Sequence, residues 1–260
     1  MHRPSAACCF CCWVYSGWTN LFLKLYNADC LSILPSLPDN SVDLILTDPP
    51  YGTTQCKWDS IIPFEPMWNE LKRIIKDNGC IALFGSEPFS SALRMSNIKQ
   101  FRYDWIWLKS IKTGFQLANK RPLKQHEIIS IFSKTQSNYN PQNLKIYNKI
   151  NKRGNIGKNW SKLKLDNYIQ HFTNYPSSVL KFDSLGKKYH STQKPVALLE
   201  YLIKTYTNEN DTVLDFTMGS GSTGVAAKNL NREFIGIELN KQYFEIAKNR
   251  INENPNSVHT

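Results

Sequence analysis

Apolar positions along this chain recur with two periods, and the switches between them divide it into elements. Leu23–Asp29 (LKLYNAD) predicts a short strand ending at Asp29. The run Val42–Leu46 predicts a parallel strand covered on both faces, stopped by Pro49 and Pro50. Met67, Leu71, Ile74 and Ile75 recur at helical spacing, with Pro66 tolerated in the first turn. GCIALFG reads as a buried strand, EPFSSALRMSN as a helix, and YDWIWLK and HEIISIFSK as strands. The periodicity then fails from about Thr135 to Tyr189, where Asn, Lys, Ser and Tyr dominate. It returns as a helix from Pro195, the strand DTVLDF, a glycine-rich turn, the helix STGVAAKNLN, the strand EFIGIELN and a last helix. Alternating strands and helices predict a doubly wound α/β sheet carrying an irregular insertion.

The expected organisation is therefore an atypical extension over 1–22, half of an α/β domain over 23–134, an insertion over 135–189, the other half over 190–254 and a tail over 255–260. The opening stretch has neither period and reads as a disordered extension or as a start site placed too early. Its apolar part is too short to span a bilayer, and no other segment is long and apolar enough.

Charge sharpens this picture. The whole chain carries +11, but Lys109–Lys194 holds 17 Lys/Arg against three acids, Glu127, Asp166 and Asp183. A basic middle between mildly acidic ends suits a polyanion, although a solvated lysine-rich face has the same composition. Four of the seven cysteines, Cys8, Cys9, Cys11 and Cys12, crowd the opening stretch. Their spacing suits no metal site, and the rest form no disulfide pattern. The expectation is a reducing cytoplasm and no metal.

Two segments carry candidate chemistry. Asp48-Pro49-Pro50-Tyr51 follows directly on a buried strand, where open α/β sheets bind ligands. The prolines donate no N–H, so the turn offers the Asp48 carboxylate and the Pro49 carbonyl as acceptors beside the ring of Tyr51. Acceptors next to an aromatic plate suit a planar amino group. The second segment, Asp215 to Gly224, contains Gly219-x-Gly221-x-x-Gly224, and Glu238 ends the following strand, placed for ribose hydroxyls. The glycine turn alone fits a nicotinamide dinucleotide or S-adenosylmethionine equally well. Asp215 suits the amino group of a methionine moiety better than a phosphate.

Together the two segments resemble the amino-methyltransferases of DNA. Asp48-Pro49-Pro50-Tyr51 resembles their catalytic tetrad, and Asp215, Phe216, Thr217, Gly219, Gly221, Ser222 and Thr223 resemble their cofactor loop. Tetrad first, basic insertion next and cofactor loop last is the order of the β class, a circularly permuted Rossmann-like sheet. The resemblance implies S-adenosylmethionine as methyl donor and double-stranded DNA as substrate. It makes 135–189 a target-recognition region and permits a cognate restriction endonuclease and a monomer or homodimer. It implies that Lys194, in HSTQKP, closes over the methionine end of the cofactor, that Asp29 accepts from its adenine, and that Glu238 binds its ribose. Asp at position 48 points to adenine N6, with cytosine N4 as the alternative. A dehydrogenase or an inactive DNA-binding relative leaves one or other segment unexplained. The chain departs from the family in reading Asp215-Phe216-Thr217 where Asp-Pro-Phe is common. Trp58 and Asp59 are expected either to line the pocket or to pack a loop, and a bulky residue at Gly221 is expected to block the cofactor.

Overall fold

The apolar runs form the strands they predict. The computed structural model describes residues 23–53, 59–151, 168–184 and 193–253. Its strands are β1 (Leu23–Asn27), β2 (Val42–Thr47), β3 (Ile75–Gly85), β4 (Phe101–Thr113), β5 (Lys124–Phe132), β6 (Lys145–Asn151), β7 (Tyr168–Thr173), β8 (Val179–Lys181), β9 (Thr212–Asp215) and β10 (Glu233–Glu238). The helices are α1 (Cys30–Ile33), α2 (Phe64–Ile74), α3 (Phe89–Ser96), α4 (Val196–Tyr206), α5 (Ser222–Asn229) and α6 (Lys241–Asn252).

Eight strands form one sheet in the order β1-β10-β9-β2-β3-β5-β4-β8. β5 runs antiparallel to β3 and β4, and the remaining pairs are parallel. All six residues of β2 are buried, which follows from cover on both faces. Leu44 and Leu46 pack with Leu198 and Leu202 of α4, Ala226 of α5 and Ile251 of α6. Val42 and Ile45 pack with Met67, Leu71 and Ile74 of α2 and Leu93 of α3. Burial of each such side chain stabilises the fold by roughly 1.5–3 kcal/mol. From β9 the sheet builds outward through β10 to β1, and from β2 it builds the other way through β3. The β9–β2 boundary is thus a topological switch point, where open α/β sheets hold ligands beyond the carboxyl ends of the strands.

Several boundaries differ from the sequence reading. Ile75 leaves the helix and opens β3, because the chain turns extended there (ψ 134°) to pair with Val42. The periodicity does not disclose the reversal of β5, since its buried run Ile128–Phe132 satisfies either direction. The irregular block is also not uniform. Val179–Lys181 joins the main sheet beside β4, with Leu180 buried, so the stretch that separates as its own unit is 140–177. Within that unit β6 and β7 pair antiparallel, with a register shift between Ile146 and Lys149, where Asn148 has φ 44°. The readings for 1–22, Trp58, residues 190–192 of HSTQKP, much of the basic block (152–167) and the tail lie outside the described residues. Among those described, no helix is long and apolar enough to cross a membrane.

Candidate active site

Four neighbouring parallel strands deliver the candidate residues to one edge of the sheet. Asp29 follows β1, Glu238 ends β10, Asp215 ends β9 and Asp48 follows β2. Hydrogen bonds join the last two strand ends. Thr47 Oγ1 donates to Asp215 Oδ1 at 3.1 Å and accepts from the Phe216 N–H at 3.1 Å. Thr217 Oγ1 donates to the Asp48 carbonyl at 3.1 Å. The two sequence segments, 169 residues apart, are therefore one site.

In the tetrad, Pro49 is buried while Asp48, Pro50 and Tyr51 are partly accessible. The Tyr51 hydroxyl donates to Asp48 Oδ1, and its ring lies 5.1 Å from that of Phe89. Lys194 Nζ donates to Asp48 Oδ2 at 2.6 Å. Burial pushes the Asp48 carboxyl up, and the Lys194 ammonium opposes that shift. Lys194 also lies 3.0 Å from Glu127 Oε2, and its Nζ stands 5.0 Å from the centre of the Phe84 ring. Lys109 Nζ binds Glu127 Oε1 at 3.0 Å. Burial would raise Glu127 too, but the ammoniums of Lys194 and Lys109 win and hold it down at about 2. The turn after the tetrad is held by Asp59, buried, whose carboxylate accepts from the N–H groups of Tyr51 (2.7 Å), Gly52 (2.9 Å) and Thr53 (2.9 Å). Asp59 thus braces the tetrad through its backbone.

At the glycine turn, the buried Asp215 carboxylate accepts from Thr47 Oγ1, the Thr217 N–H (3.1 Å) and Thr223 Oγ1 (2.6 Å). Burial nevertheless pushes it up to about 7. Glu238 Oε2 accepts from the Gly219 N–H at 2.9 Å and Oε1 from the Asn240 N–H at 2.7 Å, and burial raises this carboxyl as well. Gly219 (φ 53°) has open space where a Cβ would point. Gly221 differs: at φ 78°, a Cβ would stand 2.8 Å from the Cβ of Ala247 on α6. A bulky residue at Gly221, expected from the sequence to block a ligand, would also press α5 away from α6. Phe216 is buried in the core, and Ser222 lies beside Arg250 of α6 at 3.4 Å. Asp29 is exposed, and its Oδ1 caps α1 through the Leu31 N–H at 2.7 Å.

A family model described as DNA methylase matches residues 42–249, from the strand before the tetrad to the last helix. The chain belongs to the DNA methylases. The Type II methyltransferase M.HinfI of Haemophilus influenzae is 32% identical over 92% of the chain and 72% of its own length. M.HpaI of Haemophilus parainfluenzae is 30% identical over 88% of the chain and 74% of its own. The crystal structure of an M1.HpyAVI–SAM complex superposes with a TM-score of 0.61, at 29% identity, covering 88% of this chain and all of that one. The cytosine-N4-specific PvuII DNA methyltransferase shares the fold, with a TM-score of 0.64 at 19% identity over 90% of this chain and 88% of that one.

Sequence reasoning about this methylase missed Thr47, Asp59 as a brace, Lys109 and Glu127. Glu127 had a signal: it is the one acid between Asp104 and Asp166, in an otherwise basic stretch. The partners of Lys194 in the structure are carboxylates of the tetrad and of β5, whereas the sequence reading set it against the cofactor.

Proposed function

We propose that the chain transfers a methyl group from S-adenosylmethionine to N6 of an adenine flipped out of double-stranded DNA. The observation that carries this reading is the joining of Asp48 and Asp215 at the switch point through Thr47 and Thr217. The residues present fit the cofactor by their chemistry. Asp215 and Glu238 are carboxylates suited to an α-ammonium and to ribose hydroxyls, Asp29 stands beyond the adjoining strand, and Gly219 leaves room for close approach. Bound there, the cofactor supplies an electrophilic sulfonium methyl.

The rest is the work of this chain. A base inside a duplex is out of reach, so it leaves the stack at a cost of a few kcal/mol. Tyr51 offers its ring for stacking, worth about 1–3 kcal/mol. Asp48 and the Pro49 carbonyl accept the two amine hydrogens, draw the nitrogen toward tetrahedral geometry and free its lone pair for attack. The negative charge of Asp48 favours the cationic amine that forms. The spent proton passes to solvent, and no enzyme nucleophile is needed. Lys and Arg of the basic block hold phosphates, and 135–189 contains the base-reading surface. As in a Type II pair, a restriction endonuclease of the same specificity is the functional partner.

Labelled methyl transfer to unmethylated genomic DNA, with nucleoside mass spectrometry, tests the reading. N6-methyladenine is expected; N4-methylcytosine would overturn the base, and no methylated nucleoside would overturn the activity. Asp48→Ala is expected to abolish transfer while cofactor affinity stays within about twofold, since its loss removes the acceptor for the amine and leaves Asp215 and Glu238 in place.

A further inference from the structure

We infer that Glu127 is a second berth for the Lys194 ammonium, to which Lys194 withdraws from Asp48 when the target amine arrives. The inference rests on the reading of Asp48 as the acceptor for that amine.

Both oxygens of Asp48 are engaged in the structure, Oδ1 by the Tyr51 hydroxyl and Oδ2 by Lys194 at 2.6 Å. An amine that needs an acceptor there must displace one of them. As long as Lys194 stays, its positive charge also cancels much of the field by which Asp48 would stabilise a cationic amine. Lys194 is buried, so it cannot simply retreat into water; an ammonium leaving one anion in a dry site needs another. Glu127 Oε2 meets that need. It lies 3.0 Å from Lys194 Nζ, is itself buried, and has no aligned hydrogen bond among the described residues. Lys109 occupies the opposite oxygen, Oε1, and leaves Oε2 to Lys194. Exchange moves only the end of the lysine side chain, over the ring of Phe84. In the resting arrangement the two ammoniums and two carboxylates balance. After exchange Lys194 keeps only Glu127 of its two carboxylates, and Asp48 is left as the unneutralised anion facing the amine. Glu127 is then a positioning residue that acts through Lys194.

The first experiment is a crystal structure of the full chain with target duplex and sinefungin. Lys194 Nζ within about 3 Å of Glu127 and beyond about 4 Å of Asp48 is expected, distances that separate a made from a broken hydrogen bond. Lys194 still on Asp48 beside a bound amine would overturn the inference. Kinetics give a second, independent arm. Glu127→Gln keeps shape but removes the charge, and is expected to lower kcat about 10- to 100-fold, the size of one hydrogen bond to a charged group, with sinefungin affinity unchanged. Glu127→Asp should restore part of that loss. In a Lys194→Met background Asp48 is already released, so Glu127→Gln should cost nothing further. Losses that multiply would show Glu127 to be a packing residue and overturn the inference. N4-methylcytosine from the wild type would overturn the adenine reading alone, because the position of Lys194 is read from the crystal on either base.

Discussion

At the scale of single residues, the carboxylates of the site differ less in kind than in company. Asp48, Glu127 and Asp215 all suffer burial, yet Glu127 is held at about 2 by two ammoniums while Asp215, with only neutral donors, rises to about 7. That elevation has a sign. The protonated form is favoured in the fold, so Asp215 contributes stability fully present below pH 4, lost progressively as pH rises through about 7. A cationic ligand group reverses the preference, because only the ionised carboxylate pairs with an ammonium. Affinity for S-adenosylmethionine is therefore expected to tighten as pH rises toward 7, by up to about tenfold per unit, and to level off above it. Calorimetric titrations from pH 5.5 to 8.5 check this, and Asp215→Asn should flatten the profile. A slope unchanged in that variant would assign the titration to another group.

Elements set where these residues stand. β2 and β9 end side by side, and the turns that follow are fixed by different devices. The tetrad turn has two prolines and the Asp59 brace, while the glycine turn has Gly219 and Gly221 in left-handed conformations. The two glycines separate by experiment. Gly221→Ala combines a positive φ with a contact too short for Ala247, and is expected to destabilise the fold by roughly 2–4 kcal/mol, the sum of strain and overpacking. Gly219→Ala bears only the strain, about 1 kcal/mol, but places a methyl in the space a ligand would approach. Thermal melts with and without S-adenosylmethionine should show a large loss of Tm for the first, and for the second a small loss with a reduced ligand-induced shift. Equal losses in both would remove the distinction.

For the molecule as a whole, charge and contacts divide the chain differently. The basic excess runs from Lys109 to Lys194, but the separate unit is only 140–177. Cations such as Lys112, Lys120 and Arg121 thus belong to the main unit, within and just after β4. In the 140–177 unit the paired strands β6 and β7 expose Ile146, Ile150, Ile169 and Phe172. Replacement of 140–177 by a short Gly/Ser linker is expected to preserve the cofactor-induced shift in Tm and to abolish site-specific methylation. Residual, salt-sensitive binding to any DNA should persist, with a slope reduced by about 0.9 for each phosphate contact removed. Specific methylation surviving the replacement would place target reading elsewhere.

The strands and helices of the main sheet were legible in the amino-acid pattern, because burial on both faces demands unbroken apolar runs and a helix buried on one face demands helical spacing; α1, β6, β7 and β8, which lack both signals, were not. The sequence by itself also determined the two chemical turns, because a double proline after a strand and a glycine pair before a helix each permit few backbone paths. It left undecided what depends on neighbours distant in the chain. The antiparallel sense of β5 is one case, since a buried strand pairs in either direction; the capture of β8 by the main sheet is another. The third is the company of Asp48. Its ammonium partner, Lys194, comes from the segment before α4 and in turn reaches Glu127 of β5, and an ion pair between residues 146 apart leaves no periodic trace. Only the sheet order, which sets β9 against β2 and brings β5 beside β3, decides that Asp48, Lys194, Glu127 and Asp215 share one site.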